Sequence, residues 1–216
     1  LAVSVVLSII AGSVNPRYFA LANMSNLLEQ ISVLGLVACG ATILIISGNF
    51  DISVGANIGL STCVAAMLLG AEVPVAISAA VGILVAIAAA SFIGGCAIVF
   101  KAPSFIISLA SIGVFQGIAL ALTEGTIQTI YGKFEALSGT RFFGFFPLLF
   151  LIGLAGYALV HLLLSRTQLG RRIYAIGSNP RAAFLAGIHV NRNRMVFFVL
   201  NGFFVGVAAM LLLSRV

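Results

Sequence analysis

Asp51 is the only aspartate among 216 residues, and it stands in Gly48-Asn49-Phe50-Asp51-Ile52-Ser53-Val54-Gly55, between two long apolar runs. A charge at mid-bilayer on a helix costs about 2.5–3.5 kcal/mol on insertion scales, so its position needs a physical reason. Two reasons fit. In the first, Asp51 is the N-cap of a helix that starts over Ile52–Gly55, where its oxygen accepts from first-turn N–H groups and its charge meets the positive end of the helix dipole. In the second, the stretch is a break between two helices, with unwound backbone and Asn49, Asp51 and Ser53 lining a path for a polar solute. The two are compatible. Further along, Ser104, Ser108 and Ser111 share one helical face by their i, i+4, i+7 spacing, with Gln116 beyond them. These residues either extend the path or, for the serines, bond their own backbone carbonyls, as serine in apolar helices commonly does.

Other reactive side chains point to little chemistry. His161 and His189 have no partner at ligand spacing and fall near the ends of apolar runs. Cys39, Cys63 and Cys96 lie inside such runs at spacings that match no metal site, so they read as small packing residues rather than a disulfide framework. There is no His-Glu-x-x-His, no Gly-x-Ser-x-Gly and no phosphate-binding glycine loop. Five acidic residues leave general acid–base catalysis little to work with, and the chain does not read as an enzyme. A membrane chain that moves a solute without a nucleotide site is a passive channel, is ion-coupled, or borrows an ATPase.

The elements that must hold these residues are membrane helices. The sequence is 62% hydrophobic and 7% charged, with a mean hydropathy of +1.23. A water-soluble chain of this size could not hide so much apolar surface. The apolar runs approach or exceed the ~20 residues of a helical span and lack strand alternation. The expectation is an all-α, polytopic helical bundle with about seven spans, near residues 1–12, 31–47, 56–69, 75–100, 104–122, 145–164 and 195–213. The pairs Gly55/Gly59, Gly113/Gly117 and Gly202/Gly206 are expected as close packing seams within it. The chain begins without methionine in an apolar run and stops at the close of another, so a piece of a longer chain is expected.

One stretch is different. Residues 165–194 carry Arg166, Arg171, Arg172, Arg181, Arg192 and Arg194, six of the eleven basic residues, and no acidic one. An excess of arginine marks the cytoplasmic face. Counting back, residues 123–144, 70–74 and 13–30 come out external, and their charges nearly cancel, while Lys101 and the Asp51 region lie toward the cytoplasm. The net charge of +6 thus reports topology, and no basic face argues for nucleic acid. Within the basic stretch, residues 177–188 spell a short helix. Asn179 is its N-cap, Pro180 suits the first helical position, and Gly187 can take the left-handed conformation that closes it. A helix of about two turns is marginal alone in water, so it should rest against something.

Three strings then match a family. Residues 48–55, Lys101-Ala-Pro-Ser-Phe-Ile-Ile-Ser-Leu-Ala-Ser111 and Ser165 through Ile188 resemble the permease subunits of bacterial ABC sugar importers, the ribose-type branch, related to autoinducer-2 importers. Arg181-Ala182-Ala183-x-x-x-Gly187 is similar to the Glu-Ala-Ala-x-x-x-Gly loop of importer permeases, with Arg181 where the broader motif has Glu. Asn49 and Phe50 depart from the Gly-Gly-Ile that precedes the Asp in the family. The resemblance implies a single permease domain over 1–216, part of a longer permease of about ten spans in the bacterial inner membrane. It implies that Asn179, Pro180, Arg181, Ala182, Ala183, Phe184, Leu185 and Gly187 couple to a cytoplasmic ATPase, within the coupling loop 165–194. ATP and Mg would sit on that ATPase, and this chain would bind no cofactor. The implied partners are the ATPase, an external or periplasmic sugar-binding protein, a second permease copy and membrane lipid. The alternative class is an ATP-independent channel, a secondary transporter or a membrane scaffold.

Overall fold

The computed structural model describes residues 10–126, 130, 132, 134, 138–142 and 146–215. A 3-10 turn at Pro16–Phe19 leads into α1 (Leu21–Ile46), followed by α2 (Val54–Gly70), α3 (Val75–Val99) and α4 (Ser104–Thr123). Two two-residue strands, β1 (Arg141–Phe142) and β2 (Phe146–Pro147), pair antiparallel before α5 (Leu148–Arg166). Then come α6 (Gln168–Ser178), α7 (Pro180–Leu185) and α8 (Val190–Leu213). α3, α4 and α5 each begin directly after a proline, at Pro74, Pro103 and Pro147. Proline pre-sets the backbone at a helix start, where its missing N–H removes no internal bond.

The molecule is an all-α membrane bundle. Five described helices are long and apolar enough to cross a membrane: α1, α3, α4, α5 and α8. α2, at 17 residues, is shorter. At 1.5 Å per residue it extends about 25 Å, less than the ~30 Å of hydrocarbon. Of the seven spans expected, the described residues hold five span-length helices and one short apolar helix, and most of the first expected span, residues 1–9, lies outside the described residues. Large apolar side chains such as Leu109 (54% exposed) and Leu120 (63%) stand outward on α4, as a lipid-facing helix requires.

α8 is the axis of the bundle and packs on α1, α2 and α3. Its seam with α3 is built from reciprocal glycines. A Cβ on Gly202 would stand 2.7 Å from the Ile87 Cα, and one on Gly206 2.9 Å from the Ile83 Cα. In return Gly94 and Gly82 of α3 receive the Phe198 ring and the end of Met210. Without a hydrophobic drive between helices in lipid, this backbone approach supplies the dispersion contacts that hold them. The other two glycine pairs do not behave as expected. A Cβ at Gly55, Gly59, Gly113 or Gly117 meets nothing within 4 Å, because these residues lie on the outer faces of α2 and α4. The second close seam joins α1 to α5, where Gly153 and Gly156 lie against Ser32 and Leu36.

Residues 165–194 are not one loop with a single small helix. α5 runs through Arg166, α6 and α7 follow almost without a gap, and α8 starts at Val190. Four helices therefore share the arginines.

Candidate functional site

α1 stops at Ile46 because Gly48 takes a left-handed conformation (φ 76°) that turns the chain. The Gly48 N–H then returns to the Ile45 carbonyl at 3.0 Å and the Asn49 N–H to Leu44 at 2.9 Å, closing the helix end. The Asn49 side chain is buried and donates to Ser47 Oγ at 2.9 Å and to the Ser47 carbonyl at 3.2 Å. Residues 49–53 run on without helical structure, so their backbone groups need other partners. α4 supplies them. The Phe50 N–H donates to Ser104 Oγ at 2.9 Å, and the Ile52 N–H to Ser108 Oγ at 3.2 Å.

The first residue of α2 is Val54 and its N-cap position is Ser53, so Asp51 is not the N-cap. Its Oδ1 accepts from the Ser53 N–H at 2.9 Å and from Ser53 Oγ at 2.7 Å, forming a turn that holds the chain just outside the helix. Its Oδ2 accepts from Asn201 Nδ2 of α8 at 3.0 Å. The break is therefore clamped from two sides, by serines of α4 and by an asparagine of the axial helix. Asn201 is fully buried, and its Oδ1 has no hydrogen bond. A cavity of about 160 Å³ adjoins the break, lined in part by Asn49, Phe50, Ser104, Arg194 and Phe198.

The serine stripe bonds its own helix, as one of the two expectations had it, and also holds the break. Ser104, Ser108 and Ser111 are buried on one face, Ser108 Oγ donates to Phe105 O and Ser111 Oγ to Ile107 O, and two of the three hold the break. Gln116 does not continue the stripe. Phe115, four residues after Ser111, takes the buried position, and Gln116 is turned outward into exposure.

The second site lies in α6 and α7. Asn179 Oδ1 accepts from the Arg181 and Ala182 N–H groups, both at 3.0 Å, and Pro180 opens the helix as the sequence suggests. Gly187 has φ 81°, with its N–H on Phe184 O and that of Ile188 on Ala183 O. The small helix has two distinct faces. Ala183 (4% exposed) packs into the chain's own core beside Ile173 and Ile176, whereas Phe184 (67%) and Leu185 (79%) are exposed together with Pro180, Arg181 and Ala182.

Against this geometry, the family described as Branched-chain amino acid transport system / permease component matches residues 23–216. The chain belongs to this permease family. It is similar to the ribose import permease of Bacillus subtilis, 33% identical over 214 residues, covering 97% of this chain and 66% of that protein. It is likewise similar to the autoinducer 2 import system permease of Klebsiella pneumoniae, 32% identical over 213 residues, covering 98% of this chain and 62% of that one. The ribose import permease of Escherichia coli K12 is 29% identical over 215 residues, covering 97% and 67%. This chain thus spans about two thirds of the length of such relatives or slightly less. No solved structure matches it.

Within this permease, sequence reasoning missed Asn201 and Asn57. Asn57 is fully buried in α2, donating to the Ala86 carbonyl of α3 and accepting from Ser61. Asn57 is the single amide of α2 and Asn201 the single amide of α8 beyond its first turn, and that rarity was the available signal. α6 was also missed. Thr167 Oγ1 caps it by accepting from the Gly170 N–H at 3.1 Å, and Leu169, Ile173 and Ile176 repeat along one face at helical spacing.

Proposed function

We propose that this chain is the membrane subunit of an ATP-driven, binding-protein-dependent importer of a monosaccharide of the ribose type or a similar small polar solute. It has no nucleotide site in this reading. A cytoplasmic ABC ATPase, carrying ATP and Mg, docks on α7 and drives the transport cycle. An external or periplasmic sugar-binding protein delivers the solute, and a second permease copy completes the pathway. The whole chain acts as one permease domain of a longer, multi-pass protein of the bacterial inner membrane, in contact with membrane lipid. The basic segment 165–194 faces the cytosol.

The observation that carries the proposal is the outward face of α7. Its ends are closed by Asn179 and Gly187, Ala183 anchors it to the bundle, and Phe184 and Leu185 are left uncovered on a rigid helix. Two exposed apolar anchors seated in a groove would bury surface worth about 1.5–3 kcal/mol each. Arg181 beside them favours an acidic rim on the partner. The names of the relatives support the substrate class. The path runs past the break, where Asn49, Asp51, Ser53, Ser104, Ser108 and Ser111 supply the polar groups, with Gln116 outside it.

Phe184→Asp with Leu185→Asp should leave the permease in the membrane but abolish co-purification with its ATPase and ATP-dependent sugar uptake. Full ATPase retention with normal uptake would reject the docking face. Ala183→Glu is a different test, because it places a charge in the permease's own core. It should lower the yield of folded protein before any docking is read.

A further inference from the structure

Resting on the proposed reading, we propose that Gly177 is the joint through which movement of the ATPase-docked helices reaches the break at residues 47–53. The contact is backbone on backbone. A Cβ at Gly177 would overlap the Ile46 carbonyl oxygen and lie 2.9 Å from its carbon and 3.2 Å from the Ser47 Cα. Ile46 is the last residue of α1, so the end of α6 is pressed against the residues where α1 gives way to the break. Gly48 completes the joint from the other side, since a Cβ there would meet the Gly177 Cα at 4.0 Å. No flexible side chain stands between the two segments to absorb a displacement.

The connection outward is equally stiff. Asn179 is at once the C-cap of α6 and the N-cap of α7, so the two helices share one residue and no linker. Ile173 and Ile176 are fully buried in the same cluster as Ile43 and Leu44 of α1. A push on Phe184 and Leu185 is therefore carried to Gly177 as a lever arm.

The connection inward is of another kind. The break is held by contacts made by side chains, from Ser104 and Ser108 to its N–H groups and from Asn201 to Asp51. Such contacts can be exchanged one set for another, whereas helix ladders cannot be partly released without a larger cost. Rigid lever, tight joint and exchangeable clamps form one continuous route from the cytoplasmic helices to the polar residues of the break. Gly177 is a positioning residue in it and touches no solute.

The test uses the full-length permease with its ATPase and a single cysteine, Phe50→Cys, in a background lacking Cys39, Cys63 and Cys96. In the parent, the thiol labelling rate at position 50 should differ between the nucleotide-free and vanadate-trapped complexes. Gly177→Ala drives a methyl into backbone and lifts α6 off α1. It should retain the ATPase, lose the nucleotide-dependent change in labelling, and reduce uptake by about tenfold or more. Two glycines inserted between Ser178 and Asn179 leave the joint intact and soften the lever. That variant should show the same pattern, and it carries the test if Gly177→Ala does not reach the membrane. Nucleotide-dependent labelling and uptake that persist in the variant reaching the membrane would overturn the joint. A parent permease that never binds the ATPase would instead overturn the docking reading, a separate outcome.

Discussion

Asp51 is held by three donors on three different groups, and the value of each follows from what its loss leaves behind. The Ser53 N–H and hydroxyl converge on Oδ1, and Asn201 serves Oδ2. Asp51→Asn keeps one acceptor oxygen for Ser53. The new amide can also donate to Asn201 Oδ1, which has no partner in the native state, after a flip of the Asn201 side chain. Asp51→Ala orphans the Asn201 amide and the Ser53 groups together. Each buried polar group left unpaired costs about 1–3 kcal/mol. The Asn variant should therefore melt close to the parent in detergent and keep its expression, while the Ala variant loses folded protein and melts markedly lower. Equal melting of the two would show that these contacts do not stabilise the break. A well-folded Asn variant without uptake would assign the charge itself a role in transport. The Asp51 rarity was plain in the sequence, but its partner was not. Asn201 lies 150 residues away, and nothing in the pattern around it says which face of α8 turns toward the break.

At the scale of helices, the small residues decide which faces meet, and their spacing alone misleads. Gly202 and Gly206 lie where α8 crosses α3, with α3 backbone and the Cβ of Ala90 or Ala86, respectively, within 3.2 Å of an added Cβ. Gly55, Gly59, Gly113 and Gly117 have the same four-residue spacing and face open space. Gly202→Ala must push the two helices apart and should cost about 1–3 kcal/mol of stability. Gly59→Ala should be neutral or stabilising by about 0.5–1 kcal/mol, since alanine is the better helix former and meets no neighbour. Thermal unfolding of the two variants by size-exclusion in detergent checks the contrast, and a Gly202→Ala protein as stable as the parent would refute the seam. The apolar runs, the Asn179 and Gly187 caps and the serine face were legible because each depends on residues within one continuous stretch of chain. The α3–α8 seam was only half legible, because Gly82 and Gly94 are twelve residues apart and form no recognised pattern. α6 went unread because its apolar face is short and is interrupted by Arg171 and Arg172, so charge masked the periodicity.

For the whole molecule, the packing separates an arginine-rich end from an end that holds most of the described acidic residues. Ser178 ends α6 at the C-terminal end of α1, near the break and the start of α4. Ser138 lines a recess with Asn26, Glu29 and Gln30 at the N-terminal end of α1, where Glu29 also pairs with Arg215 at 3.1 Å. Asn26, Glu29 and Gln30 precede Ile46 by 16 to 20 residues on α1, so the two positions are separated by about 24–30 Å of helix. The end with Ser178 gathers Lys101 and Arg166 through Arg194, with Asp51 the one described acid near it. The other end holds Glu29, Glu72 and Glu124 with Arg141 and Arg215. Arginine-rich ends stay on the cytoplasmic face during insertion, so the proposed reading expects α6 and α7 in the cytosol. Single cysteines at Ser178 and Ser138, in the background lacking native cysteines, should then respond oppositely to an impermeant thiol reagent in spheroplasts, with Ser138→Cys labelled and Ser178→Cys labelled only after lysis. Labelling of Ser178→Cys alone in intact spheroplasts would invert the bundle. It would place Phe184 and Leu185 outside the cell, where no ATPase could reach them.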